Sequence, residues 1–257
     1  MTAVLQVGNR IITTEEIMPL LAGYQLLPRL LFELIIDGAI EQSSRSAIAP
    51  FTCTPQEEKT AYQKFCEKNQ ITTDTERQAW LERNGMTLEQ LQTFAIRGLK
   101  IEKFKQATWD HKLQSYFLSR KPQLDKVVYS LIQIQDVVAQ EIYFRIQEKE
   151  ADFAELARKY SQDAYAQSGG LIGPVELSNC HPTVAKMLSV SQPGQLWPPT
   201  PIGEKLVIVR LENFIPAQLD ELMSQRLLSE LFAAWLQEQF EQLGSIRVLH
   251  SDFSLEK

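Results

Sequence analysis

Ala151-Asp152-Phe153-Ala154-Glu155-Leu156-Ala157-Arg158-Lys159-Tyr160-Ser161-Gln162-Asp163, followed shortly by Ser168-Gly169-Gly170-Leu171-Ile172-Gly173, is the stretch on which the reading of this chain turns. Phe153, Leu156 and Ala157 recur at helical spacing, so they form the buried face of a short helix over Phe153 to Tyr160. Gly169-Gly170 supplies backbone angles that a side chain disfavours, which makes the segment a tight turn.

On either side the period alternates between strand and helix. Val127 to Ile134 is β-branched and apolar and reads as a buried strand; Ala139 to Gln147 reads as an amphipathic helix. Ser161 to Pro201 is rich in turn residues and reads as mostly loop, with Trp197-Pro198-Pro199-Thr200-Pro201 a stiff segment rimming a site. Lys205 to Leu211 returns to strand. Beyond Pro216 the spacing of Leu219, Leu222, Met223, Leu227, Leu231, Ala234 and Leu236 is helical. Leu243-Gly244 ends that helix, and Ser245 to Leu249 reads as a last short strand.

Toward the N-terminus, Ala3 to Val7 and Arg10 to Thr13 flank Gly8-Asn9 as a small hairpin. Thr14 is expected to cap a helix opening at Glu15-Glu16, and Pro28 to sit in the first turn of the next. Thr54-Pro55-Gln56-Glu57 and Thr87 to Gln90 are capping boxes. Between them a helix over Asp74 to Asn84 stops at Gly85. The helix opened at Thr87 is the longest, with Leu88, Leu91, Ala95, Leu99 and Phe104 as its stripe and Pro122 as its expected end. The order is helices, an α/β unit, then one helix without a partner of its own. That is the pattern of an inserted domain: the expected divisions are 1–123, 124–215 and 216–257, with the last helix returning to the first lobe. The fold class is α+β.

The 257 residues are 44% hydrophobic and 23% charged, with a net charge of -6. No basic arm or Lys/Arg cluster is present, which argues against nucleic acid as a partner. The longest apolar run, Leu26 to Ile36, is interrupted by Pro28, Arg29 and Glu33 and is too short to insert across a bilayer. Met1 to Arg10 does not read as a signal peptide. Cys53, Cys66 and Cys180 are too scattered for a disulfide framework or a zinc site. These features together lead to the expectation of a cytoplasmic protein.

The two motifs that open this section, with Pro193-Gly194-Gln195 and Gly203-Glu204-Lys205-Leu206-Val207-Ile208-Val209 behind them, resemble the parvulin-type peptidyl-prolyl cis-trans isomerases. The helical flanks resemble SurA- and PrsA-type chaperone-isomerases. The resemblance implies a helical chaperone lobe, completed by the C-terminal helix, plus a rotamase domain with a small, mainly antiparallel sheet. It is strongest over Asp152 to Gly173. It also implies a partner, an extended or unfolded proline-containing polypeptide. Similar two-part proteins of cyanobacteria extend the implication to an exporter or its client peptide.

Isomerisation of an X–Pro bond breaks no bond, so neither nucleophile, metal nor cofactor is needed. The site needs an apolar cup for the proline ring and polar groups that favour the twisted amide. Carried over from the resemblance, the family's Cys/Asp position falls on Asp163. Its first histidine falls on Ser130, with Tyr129 or Leu131 as the alternatives of register, and its second on Lys205. The substrate-facing positions fall on Leu171, Ile172, Val175, Cys180 and Val184. Both family histidines are therefore substituted, and the expected replacement is an ion pair of Lys205 with Asp163, Ser130 alongside. Adjacent residues on an extended segment point apart, so Cys180-His181 is not read as a catalytic pair. Three functions stand open: a divergent isomerase, a peptide-binding chaperone that keeps the fold without the reaction, and a purely structural scaffold.

Overall fold

Val127, Tyr129 and Leu131 share one face of a strand and Ile132 and Ile134 take the other, the alternation that gives a central strand two buried sides. In the computed structural model, which describes residues 3–45, 52–135 and 138–244, this strand is β3 (Lys126–Ile134). It is reached after β1 (Ala3–Val7), β2 (Arg10–Thr13), α1 (Thr14–Gly23), α2 (Leu27–Arg45), α3 (Pro55–Lys68), α4 (Asp74–Asn84) and α5 (Leu88–Leu124). After it come α6 (Ala139–Gln147), α7 (Phe153–Tyr160), β4 (Leu171–Glu176), α8 (Pro182–Ser189), β5 (Leu196–Ile202), β6 (Lys205–Ile215) and α9 (Glu221–Gln242). The protein is α+β: a helix-rich N-terminal region and small antiparallel sheets.

The chain forms two compact units, Met1–Leu113 with Gln225–Lys257, and Gln114–Ser224. Both divisions fall inside helices, α5 and α9.

In the second unit the sheet order is β4-β3-β6-β5, with every pairing antiparallel. One face is covered by α6 and α7, whose Ile142, Ile146, Phe153, Leu156 and Ala157 pack on Ile132, Ile134 and Ile208. The other face carries Val127, Tyr129, Leu131, Val207, Val209 and Leu211 beneath Leu177, Val184, Met187 and Leu188. Asp125 closes the unit at its base, its carboxylate accepting from Lys121 Nζ at 2.6 Å and from the Ala217 backbone N–H at 2.7 Å.

The tight turn before β4 fits against β3. Leu131 N–H donates to Gly170 C=O at 2.9 Å. Gly170 sits at φ +77°, where a Cβ would run into the Leu131 carbonyl oxygen, so no other residue suits the position.

In the first unit the hairpin β1–β2 leads into α1. Thr13, not Thr14, opens that helix: its N–H donates to the Glu16 carboxylate at 2.9 Å, because Thr13 keeps the extended conformation of a capping residue. The box Thr54–Glu57 opens α3, and Glu57 also accepts from Lys103 Nζ of α5 at 2.8 Å. The Lys103 hydrogen bond, with those from Thr54, holds the Glu57 carboxyl down at about 2. The Gln225–Gln242 part of α9 packs on α5 through rings: Trp109 lies 5.6 Å from Phe104, 6.1 Å from Phe232 and 5.9 Å from Trp235, centroid to centroid. Phe240 stacks on Phe32 of α2 at 4.5 Å. Lys105, buried beside this cluster, keeps its charge partnered by Glu102 at 2.7 Å and lies over the Phe232 ring.

Three expectations change. Pro122 lies within α5, in its last turn, where the helix has few remaining hydrogen bonds to lose. Ser161 to Pro201 is more ordered than its turn residues imply. It holds 3-10 turns at Ala166–Ser168 and Leu177–Asn179, the strands β4 and β5, and α8 with Pro182 at its start, where a proline is tolerated. Trp197 to Pro201 is part of β5, an edge strand whose pairing is irregular between Trp197 and Thr200, which is where a sheet accommodates prolines. The expected strand Ser245 to Leu249 lies outside the described residues. No single helix among the described residues is long and apolar enough to cross a membrane; α1 and α2 reach that composition only as a pair bent by 103°.

Candidate functional site

Strand alternation aims Tyr129, Leu131 and Gln133 of β3 into a cavity of about 360 Å³ on the sheet face that α8 leaves partly open. Its apolar wall is Leu131, Ile172, Val175, Val184, Ile202 and Val207. Its polar groups are Tyr129, Gln133, Asp163, Tyr165, Asn179 and His181.

The loop after α7 brings Asp163 to this wall. Ser161 Oγ accepts from the backbone N–H groups of Gln133 at 3.1 Å and Asp163 at 3.2 Å, and Gln162 N–H donates to Gln133 C=O at 2.8 Å. Asp163 Oδ1 accepts from Tyr165 N–H at 2.8 Å, a local turn that orients the carboxylate. Tyr129 is 7% exposed. Burial, with Cys180 and the negative charge of Asp163 as lesser contributors, pushes its hydroxyl well above the ordinary tyrosine range, so it stays a proton donor. Burial likewise pushes the Cys180 thiol up, against an opposing hydrogen bond with Tyr129.

Of the residues singled out in the sequence, Asp163, Ile172, Val175 and Val184 line this cavity. Cys180 packs against the core of the same face, its thiol donating to Glu176 C=O at 3.7 Å. His181 lines the cavity, and its Nδ1 accepts from Thr183 N–H at 3.3 Å to cap α8. Cys180 and His181 thus have separate partners.

Leu171 and Ser130 are not brought into the cavity. They pair across β4 and β3 and take the opposite sheet face from Tyr129 and Ile172. Ser130 Oγ donates to Glu212 Oε1, which also accepts from Arg210 Nε at 2.7 Å, and Arg210 lies over the Phe153 ring at 4.9 Å. The cause is register. A bulge in β6 sets Val128 opposite Asn213 and Tyr129 opposite Leu211, which leaves Glu212 as an extra residue facing Ser130. Lys205, by alternation, shares the face of Val207 but is not part of the wall. Among the described residues no ion pair joins it to Asp163.

The cavity-facing residues that sequence reading passed over are Gln133, Tyr165, Asn179, Ile202 and Val207. For Gln133 and Val207 a signal was present, the two-residue period of their strands. Ser130→Ala is therefore expected to cost about 1–2 kcal/mol of stability, measured by urea unfolding, by removing a bond to a charged acceptor. It is expected to leave binding at the cavity within about twofold, a change under ~0.5 kcal/mol.

The arrangement can seat a small apolar ring against branched aliphatic side chains while presenting a buried hydroxyl and an oriented carboxylate to the adjoining polar groups. Among the described residues no cluster of three or more His, Cys, Asp or Glu is disposed to hold a metal ion.

A fold with this sheet order and this cavity defines a class, and residues 133–213 match the rotamase family, the PPIC-type PPIase domain. At family level the chain is homologous to the parvulin-type isomerases and the SurA- and PrsA-like chaperones. It is 25% identical over 162 residues to the foldase protein PrsA of Clostridium botulinum, covering 62% of this chain and 48% of that protein. With the chaperone SurA of Bordetella pertussis it shares 30% identity over 108 residues, 38% of this chain and 21% of SurA. The matches thus span about half of the PrsA relative and about a fifth of SurA. The peptidylprolyl isomerase PrsA of Bacillus cereus has a similar fold, with a TM-score of 0.50 at 16% identity over 98% of this chain and 95% of that one.

The relatives overturn the cytoplasmic expectation. SurA and PrsA are periplasmic or otherwise extracytoplasmic chaperones. Composition and three unpaired cysteines suit either side of a membrane, so they carry no weight against that finding.

Proposed function

We propose that the cavity binds proline-containing segments of extended polypeptide and speeds their cis–trans exchange, as a parvulin-type isomerase with a rebuilt polar site. The observation that carries this reading is the juxtaposition, in one cavity of about 360 Å³, of an aliphatic wall with the buried Tyr129 hydroxyl and the oriented Asp163 carboxylate. Ile172, Val175, Val184 and Val207 would hold the proline ring. Tyr129, one of the two alternatives of register to Ser130 for the family's first histidine, would donate to the amide as it twists and its carbonyl loses conjugation. Asp163 would orient that hydroxyl network. Lys205 stands where the resemblance sets the second histidine and would act through the field it adds. The helical unit would be a SurA/PrsA-like chaperone lobe that adds contact area for the same client, with an export-linked polypeptide as the expected class.

Exchange NMR on short X–Pro peptides tests this directly. Added protein is expected to raise the exchange rate, and Tyr129→Phe to lower that enhancement about tenfold, the equivalent of one lost hydrogen bond of ~1.4 kcal/mol. Tyr129 and Cys180 are expected to add no pH step to the rate from about pH 6.5 to 8, because both hold their protons more tightly than free side chains do. Their folded pKa values are raised, so their contribution to stability is full below the ordinary values and falls as pH rises past roughly 8.5 to 10.

A second reading, binding without acceleration, draws on the absence of a Lys205–Asp163 ion pair among the described residues. Peptide shift changes with unaltered exchange would select it and sink the first.

A further inference from the structure

We infer that the polypeptide segment taken by this cavity carries a lysine or arginine next to its proline; the inference rests on the peptide-binding reading above. Asp163 is the one carboxylate among the lining residues, and none of them is Lys or Arg. Its orientation is set from within the loop, Oδ1 accepting from Tyr165 N–H at 2.8 Å and its own N–H donating to Ser161 Oγ at 3.2 Å. The Tyr165 side chain lines the same cavity and is 49% exposed. Among the described residues no lysine or arginine forms an ion pair with Asp163 or lies over the Tyr165 ring.

A carboxylate beside an accessible aromatic ring is the combination that recognises a guanidinium or ammonium group, by Coulomb attraction and by the ring's negative face. Among the described residues no lysine or arginine occupies that pair, so a ligand cation completes it without displacing one. Gln133 and Asn179, on the same wall, add uncharged acceptors. The chain's net charge of -6 favours approach of a basic segment. Lys205, which shares the sheet face but not the wall, opposes it, and limits the preference to what one half-exposed ion pair and one cation–π contact supply. That is roughly three- to tenfold in affinity.

The test uses the full chain and two series of blocked peptides, Ala-Xaa-Pro-Ala and Ala-Pro-Xaa-Ala, with Xaa as Arg, Lys, Ala or Glu. Dissociation constants come from NMR titration. In at least one series the Arg and Lys peptides are expected to bind about three- to tenfold tighter than the Ala peptide, with Glu weakest. The Arg-to-Ala ratio should shrink as salt is raised from about 0.05 to 0.5 M. It should also fall toward unity in Asp163→Asn and in Tyr165→Leu; with two variants, a folding defect in one leaves the other to decide. Equal affinities for all four residues in both series, or an Arg-to-Ala ratio unchanged in both variants, would overturn the inference while leaving peptide binding intact. Binding of none of the peptides would instead remove the reading on which it rests.

Discussion

Gly170→Ala is expected to destabilise the Gln114–Ser224 unit by roughly 3 kcal/mol or more, the sum of a left-handed backbone penalty and a forced displacement of neighbouring backbone. Gly170 lies at φ +77°, and an added Cβ would meet the Leu131 carbonyl oxygen first and Ala157 Cβ at 3.2 Å next. Neither can yield cheaply. The oxygen belongs to the central strand β3, and Ala157 is a fully buried residue of α7. The same glycine ties the turn to β3 through the Leu131 N–H bond, so a shift of a few tenths of an ångström reaches Leu131 in the cavity wall. Peptide-resolved hydrogen exchange during urea unfolding is the measurement. Loss of protection is expected in β3, α7 and β4. Protection within about 0.5 kcal/mol of the parent in those elements would show that the turn can relax, and that the close approach is not what selects glycine.

Trp109→Ala is expected to cost about 3–5 kcal/mol in the other unit, the usual range for removing a buried aromatic side chain. Trp109 is 7% exposed and meets Phe104, Phe232 and Trp235, with ring centroids no farther than 6.1 Å. Two of those rings belong to α9 and the other to α5, so the substitution empties the contact by which residues more than a hundred positions apart in sequence are held together. Protection in α9 is expected to drop most, before that of the hairpin β1–β2. A fall below about 1 kcal/mol would mean that the ring cluster collapses to fill the space, and that α9 is held chiefly elsewhere, for example by Phe240 on Phe32.

The ends of α4 and the starts of α3 and α5 were plain in the sequence because they are local. Thr54 with Glu57, and Asp74 through Asn84 before Gly85, are satisfied by groups within a few residues, and α3 and α4 begin and end there. The short elements between Ser161 and Pro201 were not legible. A six-residue strand such as β4 or a one-turn 3-10 segment is held by what it packs against, and its own residues, rich in Gly, Pro and Ser, read as turns.

The candidate site divides the same way. Ile172, Val175, Val184 and Asp163 could be named from the family resemblance, because each lies within a short stretch of chain from the motif that carries it. Ser130 could not be assigned to a face, since a shift of one residue exchanges the two sides of a strand. The bulge at Glu212 that settles its surroundings arises on β6, more than eighty residues away.

Sequence alone determined the helical character of the chain before Leu124, the strands at Val127 to Ile134 and Lys205 to Leu211, and a motif stretch that resembles the rotamases, all of which are written in short-range spacing. Only the tertiary structure decided that Tyr129 and not Ser130 faces the cavity, that Leu171 turns away from it, and that Asp163 stands there beside Tyr165 without an ion pair to Lys205. These follow from strand register and from contacts between distant segments, where a single residue of offset costs nothing locally and reverses which side chain meets the ligand.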